Sequence, residues 1–73
     1  MRKVRGEIWR FSPSGDLFYV EKRGSRHHMS LKVLSAAEAD RIIRGEEAPP
    51  KVEREVMSIS AFEPVPPEKL ASL

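Results

Sequence analysis

The sequence predicts a small α+β domain: an antiparallel-rich sheet with one helix against it, in the order βββαβ, followed by a proline-rich C-terminal arm. Three local signals predict it. Ser12-Pro13-Ser14-Gly15 reads as a hairpin turn, His27 to Leu34 alternates apolar and polar residues, and Ser35-Ala36-Ala37-Glu38 has the spacing of a helix capping box.

The first strand is expected over residues 3–11, with Val4 and Ile8 on one face and Trp9 and Phe11 on the other. Pro13 presets the φ that a type I turn wants at its second position, and Gly15 tolerates the left-handed conformation of a bulged hairpin. Leu17 to Lys22 is the returning strand, rich in aromatic and branched side chains that fit a pleated surface. Arg23-Gly24-Ser25-Arg26 turns the chain again. His27 to Leu34 follows, with Met29, Leu31 and Val33 on the covered side and His28, Ser30 and Lys32 on the wet side.

The helix is expected from Ala36 to Arg44. Its apolar stripe is Ala39, Ile42 and Ile43, and Gly45 supplies the stop. Pro49 and Pro50 force a loop, because neither can donate a backbone hydrogen bond. A fourth strand is expected from Val52 to about Ala61, where the phase change between Val52, Val56 and Met57, Ile59 suggests a bulge or burial on both sides. A crossover through the helix would make it parallel to its neighbour, and pairing beside the first strand is the expected arrangement. Residues 1–62 then form the domain, and residues 63–73, with Pro64, Pro66 and Pro67, an extended arm.

At 73 residues there is room for one core and little to line an enzyme pocket. The expectation is a non-enzymatic monomer. No cysteine is present, so no disulfide or thiolate metal site supports the core. His27 and His28 are neighbours on a strand, point to opposite faces and cannot chelate one ion together. Glu53 and Glu55 share a strand face but are flanked by Lys51 and Arg54, with nothing to enclose them and raise a pKa. No glycine loop fit to cradle phosphate occurs. No catalytic residue, cofactor or metal is therefore expected. Nowhere is there an apolar run long enough to span a membrane, and Met1-Arg2-Lys3-Val4-Arg5 leads into charge where a signal peptide would be apolar. A cytoplasmic location follows as the expectation.

Charge is the most informative remaining feature. Residues 1–32 carry +5 and residues 33–73 carry −3, although the whole chain carries only +2. A basic face meeting phosphate or an acidic protein surface is one reading, and an ordinary solvated exterior the other. The residues expected to contact a partner are Lys3, Val4, Arg5, Ile8 and Arg10 on the first strand, with Lys22, Arg23 and Arg26 at the second turn. Trp9 is read as core. Because Val4 and Ile8 oppose Trp9 and Phe11, one of the two pairs must be covered by the proline-rich arm or by a partner.

Two resemblances bear on that partner. Arg5-Gly6, Trp9, Gly24 and Glu38-Ala39, spread over residues 4–45, resemble the three-stranded DNA-binding domains of the plant AP2 type and of phage-integrase amino-terminal type, which implies nucleic-acid binding through a basic sheet. The whole chain resembles in format the small phage-encoded proteins that bind bacterial RNA polymerase. That rests on its length, the basic start Met1-Arg2-Lys3-Val4-Arg5 and the arm at Pro64, Pro66 and Pro67. This second resemblance implies a regulator acting in the bacterial host cytoplasm, inhibiting initiation or promoting antitermination by occupying polymerase surfaces, and it is the preferred one.

Overall fold

Turn chemistry sets the centre of the fold. The computed structural model describes residues 4–73, in which strands β1 (Glu7–Phe11), β2 (Leu17–Arg23) and β3 (Arg26–Met29) form an antiparallel meander. Between β1 and β2, Phe11 N–H donates to the Asp16 carbonyl at 2.8 Å, and Gly15 takes a φ of +80° that costs a residue without Cβ nothing. Between β2 and β3, Gly24 holds a φ of +64° at the first position of a two-residue loop, as a type II′ turn requires.

Helix α1 (Ala36–Ile43) starts where the capping box places it: Ser35 Oγ accepts the Glu38 N–H at 3.1 Å. Glu38 does not reach back, because Lys32 Nζ takes its carboxylate at 3.1 Å. At the other end Gly45, at φ +78°, closes a Schellman motif: its N–H meets the Ile42 carbonyl and the Glu46 N–H meets that of Arg41. Both ends of the helix are thus satisfied within the twelve residues Ser35 to Glu46.

Beyond α1 the chain departs from expectation. Strand β4 is only Arg54–Val56 and lies antiparallel on the outer edge of β3, not parallel beside the first strand. The place beside β1 is taken by β5 (Phe62–Pro64), also antiparallel, giving the order β4-β3-β2-β1-β5. No arm detaches at residue 63. Pro64 fits because an edge strand does not need its missing N–H, and Pro67 opens a short helix α2 (Pro67–Leu70), where a missing donor is also harmless. Leu70, 2% exposed, drops from α2 into the core, so the expected boundary at residues 62–63 is absent.

The third strand also ends early, at Met29. Ser30 turns inward and is 1% exposed, while Leu31 and Val33 emerge at 54% and 51%, against the expectation that alternation would bury them. Leu34 returns to bridge Leu17 and re-enters the core.

One face of the sheet meets both helices. Ile8, Leu17 and Tyr19 pack there against Leu34, Ala39, Ile42 and Leu70, with Val4, Ile43, Val52 and Val65 at the margin. Full burial of one such aliphatic side chain is worth roughly 1.5–3 kcal/mol, so this layer carries most of the fold.

The sheet is also strongly curved. β4 and β5 stand at opposite ends of the strand order, which in a flat sheet is about 19 Å at ~4.8 Å per strand. Only residues 57–61 join them, and these make a turn closed by Phe62 N–H on the Ile59 carbonyl at 2.9 Å. The edges must therefore bend toward each other on the side away from the helices. A cleft lined by both Val56 and Phe62 shows that they do.

Candidate binding face

The structure disperses the sequence-predicted site. Lys3 lies outside the described residues. Ile8 is 1% exposed and belongs to the helix-side core, and Val4 packs half-buried at its margin, so neither side chain is presented by a free strand face. The arginines are largely neutralised by the fold itself: Arg10 pairs with Glu63, Arg23 with Glu21 at 2.9 Å, and Arg26 with both oxygens of Glu55 at 3.0 Å. Two of those three carboxylates come from the acidic half of the chain. Strand pairing, invisible in a linear charge tally, cancels the split. Among the described residues Arg5, Lys22, Lys51, Arg54 and Lys69 have no ion-pair partner.

What the fold brings together instead is the concave face of the sheet. Alternation along the strands, fixed by the registers Trp9↔Phe18, Val20↔Met29, Lys22↔His27 and Phe11↔Phe62, places all eight of these residues on the side opposite the helices. Val20 and Met29 form its floor at 6% and 7% exposure. Trp9, Phe11, Phe18 and Phe62 are half-buried above it. Phe62 packs on Phe11 with ring centres 4.9 Å apart and on Phe18 at 5.8 Å, and the Trp9 and His27 rings meet edge-on at 6.1 Å. That last contact links β1 to β3 across β2 and requires the curvature. Trp9 Nε1 is buried without a hydrogen-bond partner, a cost of about 1–3 kcal/mol for a donor of this kind.

At the mouth of this face lies a cleft of about 310 Å³, bounded by Met29, Arg54, Glu55, Val56, Met57, Ser58 and Phe62. Met57 is 88% exposed there. On the helix side, a second groove of about 400 Å³ runs between Val4, Ile8, Ile43, Val65 and Pro66.

The two perturbed titrations sit apart from both clefts. Burial, then the hydrogen bond from its hydroxyl to Glu21 at 2.9 Å, pushes Tyr19 up to about 12. Burial also raises Glu21, but hydrogen bonds from Arg23 and Tyr19 and the charges of Arg23 and Arg5 outweigh it and hold this carboxyl below its ordinary range. The pair ties the end of β2 to its own strand; no nucleophile stands within the same set. His28 Nε2 lies 3.8 Å from Glu55, on the face opposite His27, and no group of three potential metal ligands occurs among the described residues. Among those residues no helix is long and apolar enough to cross a membrane.

Trp9, expected in the core, lies outside the helix-packed cluster. The opposition of Trp9 and Phe11 to Val4 and Ile8 holds, and it is the tryptophan side that both helices leave uncovered. Phe18 was not singled out from the sequence, although its alternation with Leu17 and Tyr19 is the signal that places it; Phe62 has no such signal, because nothing local marks a three-residue strand. Comparisons with protein-family models, with curated proteins and with solved structures give no match.

Proposed function

We propose that this chain is a non-catalytic binding module that docks on a protein partner through its concave aromatic face. The supporting observation is the cluster of Trp9, Phe11, Phe18 and Phe62, half-buried and outside the helix-packed core, with Met57 exposed at its rim. A protein contact draws its affinity from a desolvated apolar or aromatic centre ringed by polar groups, and this face has that composition. The pairing of Arg10, Arg23 and Arg26 with carboxylates favours a protein over duplex DNA, since among the described residues it engages three of the arginines that a basic sheet would turn toward phosphate. The format of the chain makes bacterial RNA polymerase the partner to test first, with regulation of transcription as the outcome.

Purified RNA polymerase and random-sequence duplex DNA, titrated in parallel at low and moderate salt, test this. Wild type is compared with a Lys22→Glu, Met57→Glu double variant, whose two sites are exposed and outside the core. Polymerase binding that the variant loses, with weak and steeply salt-dependent DNA binding, is the expected result. Tight DNA binding without polymerase binding reverses the order of the two partners.

A further inference from the structure

The two outer edges of the sheet are not equivalent. On β5, Pro64 has no N–H to offer and Glu63 is engaged by Arg10. The outer edge of β4 carries no proline, and it borders the cleft at the mouth of the aromatic face. An unprotected edge is a template for a further strand. Because the sheet bends there, a strand added to β4 would enter the gap between β4 and β5, over Met29 and Phe62.

Charge selects what that strand would be. Arg54 and Lys22 share the concave face with the cleft, and among the described residues neither is held by a carboxylate. Glu55 also borders the cleft, but its carboxylate is held on the opposite face by Arg26, beside His28. Glu7 lies on the concave side but is separated from Arg54 by β2 and β3. The Phe62 ring is inclined by 49° and 58° to those of Phe11 and Phe18, so these rings pack on one another and are not set out as flat parallel platforms for bases.

Resting on the protein-binding reading above, we propose that the outer edge of β4 takes an extended, acidic segment of the partner as a sixth strand. One apolar side chain of that segment seats between Met29, Val56, Met57 and Phe62, and a flanking carboxylate meets Arg54. Main-chain hydrogen bonds supply affinity in such strand addition, and alternate side chains supply specificity.

Selection from an mRNA-displayed library of random dodecapeptides tests the proposal. The most enriched peptide is then synthesised and titrated while the fluorescence of Trp9, the only tryptophan, is followed. Expected are peptides with Asp or Glu flanking an apolar residue, slowed amide exchange across Arg54–Val56 on binding, and loss of binding when alternate peptide nitrogens are methylated. Arg54→Glu should weaken binding by about tenfold or more, whereas Lys69→Glu, an exposed lysine on α2 that does not line this cleft, should change it little. Failure to enrich any peptide, enrichment of basic ones, tolerance of methylation on both sets of nitrogens, or tighter binding of a dodecathymidylate strand overturns it. Polymerase binding lost in the Lys22→Glu, Met57→Glu variant but retained in Arg54→Glu overturns strand addition alone. Absence of polymerase binding by wild type overturns the choice of partner, and the peptide results still decide this proposal.

Discussion

Gly6 lies against the ring of Tyr19 so closely that a Cβ built on it would stand 2.6 Å from Tyr19 Cζ and 2.6 Å from the Val20 carbonyl oxygen. One of those neighbours is β2 backbone, which cannot swing aside. Gly6→Ala is therefore expected to destabilise the fold by about 1–3 kcal/mol through overpacking, read as a lower urea midpoint. A midpoint within error of wild type would mean that the β1–β2 pair yields at no cost.

Ser35→Ala removes the oxygen that accepts the Glu38 N–H. A loss of roughly 0.5–2 kcal/mol is expected. Ser35→Asp should restore most of it, which separates capping from any other role of the serine. An unchanged midpoint in the alanine variant would show that water replaces the cap fully.

Leu70→Ala should cost about 2–5 kcal/mol, the usual range for emptying a buried leucine site. Leu70 is 2% exposed and belongs to the main core cluster, so in a domain of this size that loss is a large share of total stability. Truncation after Glu63 should be worse, since it also removes Val65, whose N–H donates to the Ile8 carbonyl at 2.9 Å. Thermal unfolding of both variants checks this. A truncated chain that keeps the wild-type transition would restore the detachable arm.

Stability should fall at both ends of the pH scale for opposite reasons. Glu21 has a folded pKa below its unfolded value, so its contribution is present above the unfolded value and is lost as pH falls through the folded one. Tyr19 is raised from 10.0 to about 12, so its contribution is full below 10 and drains away as pH rises toward 12. Melting temperatures across both ranges should show a shallower acid limb in Glu21→Gln and a shallower alkaline limb in Tyr19→Phe. Limbs that match wild type would assign the pH dependence to other groups.

Where structure is decided by a few adjacent residues, it was legible in the sequence. Gly15, Gly24 and Gly45 sit at the positive φ values that their turns and helix stop demand, and Ser35 caps the helix it was expected to cap. Strand partnership after the helix was not legible, because it depends on competition for the outer edge of β1. Phe62 packing at a tilt on Phe11 and Glu63 pairing with Arg10 hold β5 there, and β4 is left the edge of β3. The alternation of Leu31 and Val33 misled for a related reason: a period of two persists in sequence after the ladder that gives it meaning has ended at Met29. For the binding face, the charge tally pointed to the arginines because it could not see their partners, while the opposition of Trp9 to Ile8 already contained the better clue.

The position of β5 beside β1 also sets an order of events during synthesis. The β1–β2–β3 meander and α1 close through near neighbours in sequence and can begin to form as soon as they leave the ribosome. The partner of Phe11, however, is Phe62, and the core waits for Leu70. Until Phe62 and Leu70 have emerged and packed, the nascent chain carries an unpaired strand edge next to Trp9 and Phe11, and this interval is when it is most exposed to self-association and to capture by chaperones.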